Sequence, residues 1–204
     1  MGIRHRRTWL LPLVAFLVLD TLAVGMGTPM PRSTHRRWPP VARSRTMAGT
    51  RVEALAARLE KGQRKTQEIL EPLTPEQWQK LVYMEPYPWT VRDLLAHFVS
   101  SEEALRLMCQ NVADGGPGTP EDFDFDRLNA EERQRLADRS PQDLLPALSA
   151  ARQRTLDWLR TLEDEQLDQT GRHPVLGIVS LEAMLTAIYG HQLIHMRELQ
   201  PVLG

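Results

Sequence analysis

An all-α fold, built as a bundle of four long helices, is what this sequence predicts, on three observations. Four segments after residue 50 place apolar residues at helical spacing with charges between them. Clusters of Pro and Gly separate those segments and punctuate them as helices. No stretch between Met47 and Gly204 shows sustained alternation with β-branched enrichment, so no sheet of consequence is expected. Amphipathic helices of about 20 residues bury one another's apolar faces most simply as a bundle, and such bundles build metal sites from side chains on facing helices.

The first helix is predicted between Arg51 and Leu70, where Val52, Leu55, Ala56, Leu59 and Ile69 fall largely at helical spacing. Thr74 and Pro75 form an N-cap with a first-turn proline, so Gln77 to Leu81 should make a short helical turn before Pro86 and Pro88 stop it. Thr90 stands three residues before Asp93, a capping-box start for a second helix. Its buried side carries Val91, Leu94, Leu95, Phe98, Leu105 and Val112, and the run from Gly115 to Gly118 ends it. Asn129 with Glu132 suggests a minor helix. Ser140, Pro141 and Asp143 open the third long helix, with Leu144, Leu145, Leu148, Leu156 and Leu159 along it and fraying near Asp164. A loop containing Gly171, Pro174 and Gly177 leads to Ser180, from which Leu181, Met184, Leu185 and Ile188 start a fourth helix running toward Pro201.

The 204 residues suffice for one domain and an extension, with a core that needs no disulfide. Cys109 is the single cysteine, so neither an internal disulfide nor a thiolate metal cluster is available. The formal net charge of −1 hides an asymmetry: residues 1–46 hold eight arginines and one acid, Asp20. About −8 is left for the remainder, so the folded part should not bind nucleic acid through phosphates.

Residues 1–46 read as a separate extension, and residues 47–204 as the helical domain. Arg4, Arg6 and Arg7 before the apolar run Trp9 to Leu19, with small residues beyond, resemble a secretory signal, which would export the chain through residues 1–27. The run is short of the roughly 20 apolar residues of a membrane span, and Asp20 would enter the lipid, so no stable anchor is expected. The proline- and arginine-rich stretch that follows predicts disorder. Alternatively Met47 is the true start, which would make the protein cytoplasmic, because lysine and glutamate appear only from there onward.

His191 and His195 stand four apart on the predicted last helix, on one face, continuing the stripe of Met184 and Ile188 inward. Two imidazoles so placed can share a metal ion, although a pair at this spacing is as readily two satisfied core histidines. Gln192 stands where the zinc-protease helix carries its glutamate, so peptide hydrolysis by that route is disfavoured. His97 in the second helix, within Leu94-Leu95-Ala96-His97-Phe98, offers a third imidazole from an apolar context. Three imidazoles on one ion leave a coordination position open for water or a thiolate, the arrangement of a catalytic site. Tyr189, Arg197 and Glu102 lie near these histidines in sequence and read first as a packing aromatic and solvated charges, and second as candidates to orient substrate. His173 is a loop histidine that could reach the site mouth, although a turn histidine before proline needs no such role. Cys109, Trp89 and Trp158 read as packing groups, and the acidic run Glu121 to Asp126 lacks the glycine and ligand spacing of a calcium loop.

The stretch from Trp89 to His97 (WTVRDLLAH), followed by Gly190 to His195 (GHQLIH), resembles the DinB/YfiT-like superfamily of bacterial four-helix-bundle proteins. The loop Arg172 to Gly177 (RHPVLG) is similar to one recurrent among its members, and the likeness covers about residues 50–202. The resemblance implies an up-down-down-up bundle, a homodimer, and a site for zinc or nickel made by His97, His191 and His195. It also implies a metal-dependent transferase that takes a low-molecular-weight thiol of the mycothiol or bacillithiol kind as cosubstrate and acts on a small molecule. The competing expectation is a non-catalytic bundle that binds metal or sequesters a small molecule in stress or resistance.

Overall fold

A computed structural model describes residues 51–84 and 87–204. The expectations for residues 1–46 lie outside the described residues. The elements in order are helix α1 (Arg51–Leu70), the short helix α2 (Pro75–Trp78), strands β1 (Leu81–Tyr83) and β2 (Trp89–Thr90), and helices α3 (Val91–Ala113), α4 (Phe125–Arg135) and α5 (Pro141–Leu159). A 3-10 turn (Asp164–Asp168), strands β3 (Thr170–His173) and β4 (Gly177–Ser180), and helix α6 (Leu181–Leu203) complete the chain. Among the described residues no helix is long and apolar enough to cross a membrane.

Side-chain caps start most of these helices. Thr90 accepts from the Asp93 amide while the Asp93 carboxylate accepts from the Thr90 amide, and Ser140 with Asp143 and Thr74 with Gln77 repeat that reciprocal box. Ser180 caps α6 by accepting from the Ala183 amide. The cap of α1 comes from far along the chain: the Asp164 carboxylate accepts from the Arg51 amide at 3.0 Å and the Val52 amide at 3.1 Å. Asp164 thus meets the positive end of α1 and supplies acceptors for its orphan donors.

Three local expectations need correction. Leu81 ends no helix; the turn stops at Trp78 and Leu81 pairs with Thr90 in the antiparallel β1–β2 ribbon. The minor helix begins at Phe125 instead of near Asn129, because Asp124 caps it by accepting from the Arg127 amide. That places Asp124, from the acidic run, in a structural role. The loop before α6 is the antiparallel β3–β4 ribbon, with Thr170 opposite Ser180 and His173 opposite Gly177. Both ribbons are two-stranded and stand apart from any larger sheet, so the fold is mostly helical.

Helices α1 and α3 each pack against both α5 and α6. The apolar interior forms two clusters. One joins the first half of α1 (Val52, Leu55, Leu59) to the last half of α3 (Met108, Cys109, Val112), the end of α5 (Leu156, Leu159) and the start of α6 (Leu181, Leu185). The other joins Leu70 and Trp78 to the first half of α3 (Leu94, Leu95, Phe98), the start of α5 (Leu144, Leu148) and the end of α6 (Met196, Leu199).

A fully buried polar node stands at mid-height. Arg152 of α5 makes a two-pronged ion pair with Glu102 of α3, both contacts 2.7 Å, and its Nη1 donates to the Leu59 carbonyl of α1 at 2.8 Å. Thr155 donates to the same carboxylate at 2.8 Å, and Gln192 of α6 donates to it at 3.4 Å. All four long helices therefore meet at one carboxylate–guanidinium pair. Arg152→Ala, which strands the Glu102 charge, is expected to destabilise the protein by about 3–5 kcal/mol in urea unfolding. Glu102→Leu combined with Arg152→Met should recover part of that loss, and a double variant no more stable than the single one would contradict this account.

Candidate metal centre

His97 comes from the first half of α3 and His191 and His195 from the middle of α6, two helices in direct contact. The Nε2 atoms of His97 and His191 are 3.0 Å apart, and those of His191 and His195 are 3.2 Å apart. One ligating nitrogen from each ring lies within 4.8 Å of the others, and among the described residues no carboxylate or thiolate joins the group. Two nitrogens on one tetrahedral zinc ion stand about 3.3 Å apart, given Zn–N bonds of about 2.0–2.1 Å. The spacing of the rings thus fits a shared ion.

The chemistry of the donor set points the same way. Each imidazole nitrogen presents either one N–H or one lone pair. The His191 Nε2 atom faces two other ring nitrogens and can make one good hydrogen bond with them, whereas a cation takes a lone pair from all three. Burial pushes the His97 imidazole down to about 3, and His195 beside it adds to the effect. Burial likewise holds His191 well below its usual value, followed by His195, His97 and His173. Both rings are therefore neutral at neutral pH, the form that ligates metal.

Aromatic side chains frame the rings. Trp89 of β2 meets His97 edge-on at 5.2 Å between centroids, and Phe98 lies 5.9 Å from His195 and 6.5 Å from His191. Tyr83 of β1 places its hydroxyl 2.6 Å from His195 Nδ1 and donates to Glu198, whose carboxylate is also 3.3 Å from that nitrogen. The hydrogen bond from His195, with that from Tyr83, holds the Glu198 carboxyl below its usual range. Burial, reinforced by Glu198, raises the Tyr83 phenol.

The sequence-based candidates around the triad fare differently. Glu102 is neither solvated nor free to orient substrate, since Arg152, Thr155 and Gln192 occupy its carboxylate. Tyr189 packs against the first apolar cluster, its ring where a Gly62 side chain would otherwise stand. Arg197 is exposed. His173 is buried on β3, and its Nδ1 accepts from the Val175 and Leu176 amides at 3.1 and 3.2 Å, which leaves the proton on Nε2. The segment Pro117 to Thr119 anchors that strand by bonding both the amide and the carbonyl of Arg172. Gly118 is required there: at φ +83°, a Cβ would come within 2.4 Å of the Arg172 carbonyl. Tyr83 and Glu198 were missed in the sequence; the i, i+3 spacing of His195 and Glu198 was the available signal.

A pH dependence follows from these shifts. A histidine whose folded pKa lies below its unfolded value of about 6.5 leaves the unfolded chain binding more protons as pH drops, so stability falls. For His173, lowered by burial to about 4, and His97, at about 3, the loss begins near the unfolded value and grows down to those values. The metal-free protein should therefore show a lower urea midpoint at about pH 5 than at about pH 7.5, a range in which ordinary carboxylates stay ionised. An equal or higher midpoint at the lower pH would contradict the burial of these rings.

Comparison with known proteins accords with this arrangement. The structure of YfiT from Bacillus subtilis, described as a probable metal-dependent hydrolase with an unusual four-helix bundle topology, superposes with a TM-score of 0.60 at 19% identity, over 87% of this chain and 93% of that one. The colibactin self-resistance protein ClbS, solved in complex with a double-stranded DNA, gives 0.57 at 16% identity, over 78% of this chain and 100% of that one. An uncharacterised protein from Escherichia coli UTI89 gives 0.59 at 15% identity, over 75% and 92%. At such identities the likeness is one of fold. No curated protein matches the sequence. The model of the DinB superfamily matches residues 58–199, most of the chain and all three histidines, and the chain belongs to that superfamily.

Proposed function

We propose that this protein is a metal-dependent enzyme in which His97, His191 and His195 hold one divalent ion, zinc or nickel. The observation that carries the reading is the convergence of three imidazole nitrogens without a fourth His, Cys, Asp or Glu donor among the described residues. Such a set leaves a coordination position for a small ligand. The bound ion would supply Lewis acidity that lowers the pKa of a thiol or water in that position.

Within this reading the reaction is transfer of a low-molecular-weight thiol, of the mycothiol or bacillithiol kind, to a small electrophile. The protein's own thiol is a poor nucleophile, because Cys109 is buried, and burial with the nearby Glu102 pushes it up to about 12. A sulfur nucleophile must therefore arrive as cosubstrate. In the transfer a sulfur–carbon bond forms, the thiol proton is released, and the leaving group departs with its bonding electrons. Trp89 and Phe98 border the half-buried imidazoles with apolar surface suited to a small electrophile. The net negative charge after residue 46 supports a small-molecule substrate over nucleic acid.

The up-down-down-up helix order belongs to the same proposal. It is supported by the two apolar clusters, each of which joins opposite halves of α1 and α3 and opposite ends of α5 and α6. Residues 47–204 are read as the domain, in keeping with the family match at 58–199.

A second reading, a non-catalytic resistance protein that sequesters a small molecule, draws support from the self-resistance role stated for ClbS. Water as the activated ligand draws support from the hydrolase description of YfiT.

Elemental analysis of the purified full-length chain should find about one divalent ion per protein, with His97→Ala and His191→Ala each substoichiometric. A parent protein without bound metal overturns the proposal. In the cobalt-substituted protein, small thiols should alter the ligand-field absorption, and an added alkylating electrophile should be consumed at a thiol-dependent rate. Thiol binding without turnover would favour the sequestering protein, and hydrolysis without added thiol would favour water.

A further inference from the structure

We infer that Tyr83 and Glu198 are positioning residues of the metal centre, which hold His195 in the tautomer and ring orientation that turns Nε2 toward His191 and His97. The inference rests on the metal reading proposed above. It concerns two side chains that lie outside the ligand set and come from elements far apart in sequence.

An imidazole can carry its proton on either nitrogen and can rotate about its bond to Cβ. Only one of these states gives the centre a lone pair at Nε2 in the right direction. The contacts of Tyr83 select that state. Its hydroxyl has one proton, and that proton is donated to the Glu198 carboxylate. Toward His195 Nδ1, 2.6 Å away, the same oxygen can then act only as an acceptor. The Nδ1 atom must accordingly carry the hydrogen, and Nε2, 3.2 Å from the corresponding atom of His191, keeps its lone pair.

Glu198 completes the arrangement. It lies one turn beyond His195 on α6, with its carboxylate 3.3 Å from Nδ1, and accepts the phenol proton, which leaves the phenol oxygen as the acceptor for the ring. The phenol oxygen sits on the Nδ1 edge of the ring, away from the nitrogen that faces the other histidines, so Tyr83 is no ligand itself. The β1–β2 ribbon is thereby given a purpose: Tyr83 braces His195 on α6, while Trp89 on the opposing strand, its ring 6.2 Å from that of Tyr83, meets His97 on α3. Carboxylates and hydroxyls that receive the outer N–H of a metal-bound histidine typically contribute about 10–100-fold in metal affinity.

The test uses the full-length protein, loaded with zinc or cobalt and titrated against a chelating dye. Tyr83→Phe keeps the ring and removes the acceptor, and is expected to weaken metal binding about 10–100-fold. Glu198→Ala, at an exposed position on α6, should do the same; Glu198→Gln, which retains an acceptor oxygen, should restore most of the affinity. In the proton NMR spectrum of the cobalt protein, the shifted ring N–H signal with a nuclear Overhauser contact to the protons of the Tyr83 ring, 5.9 Å away between centroids, identifies His195. That signal should exchange faster with solvent in Tyr83→Phe and Glu198→Ala, while those of His97 and His191 stay in place. A purely structural role would move stability without moving this one signal. Parental affinity and exchange in Tyr83→Phe would overturn the inference; were that variant to misfold, the same result in Glu198→Ala would do so. A parent chain that binds no metal would instead overturn the reading on which it rests.

Discussion

The ion pair between Glu102 and Arg152 is the constraint on which the arrangement of the helices depends. Apolar contact is non-directional, and either cluster of leucines would tolerate some sliding of one helix along another. A buried charge does not tolerate it, because a guanidinium displaced from its carboxylate leaves both groups dehydrated and unpaired. Since Arg152 also donates to the Leu59 carbonyl and Glu102 also accepts from Gln192, one node fixes the relative height of all four long helices. Gln192 is the residue next to His191, and Glu102 is little more than a turn beyond His97. The register set at the node is therefore the register of the imidazoles.

At the histidines the balance of forces reverses. Neutral rings with converging nitrogens contribute less to stability than leucines would in the same space, and burial makes their protonation unfavourable. The rest of the bundle supplies what this spot lacks. Reciprocal caps start α3 and α5, and Asp164 closes the amino end of α1 from across the chain. Unlike the buried ion pair, which is satisfied within itself, the converging imidazole nitrogens give up stability with no carboxylate or thiolate among the described residues joining them to offset it, the pattern expected of a functional site.

The parts legible in sequence are those encoded within a few residues. Thr90 with Asp93, Ser140 with Asp143, and Ser180 announce their helices because a cap is a contact over three residues, and the structure keeps each of them. The facing of His191 and His195 follows from helical periodicity alone. Contacts made at long range left no such trace. Tyr83 reaches His195 across 112 residues, from a segment whose neighbouring prolines suggest only a break. Glu102, beside Glu103 and Ser101, reads as one more surface charge until its partner 50 residues away is known. The ribbons escaped notice for a different reason: strands of two to four residues are too short to display an alternating pattern.

This division between local and distant encoding bears on how such a bundle can host chemistry. The three imidazoles sit on two long helices whose relative heights are locked by the buried node, so their spacing is insulated from changes elsewhere. The groups that border them from outside the helices, Tyr83 and Trp89, come from the short β1–β2 ribbon. His173 owes its place to a close backbone approach at Gly118, and Tyr83 owes its place to pairing with a strand of two residues. Neither ribbon spans the core, but each leans on it: Val82 and Tyr83 pack against one apolar cluster and Val179 against the other. On the proposed reading the two long helices hold the cation, and the β1–β2 ribbon supplies the side chains that border it.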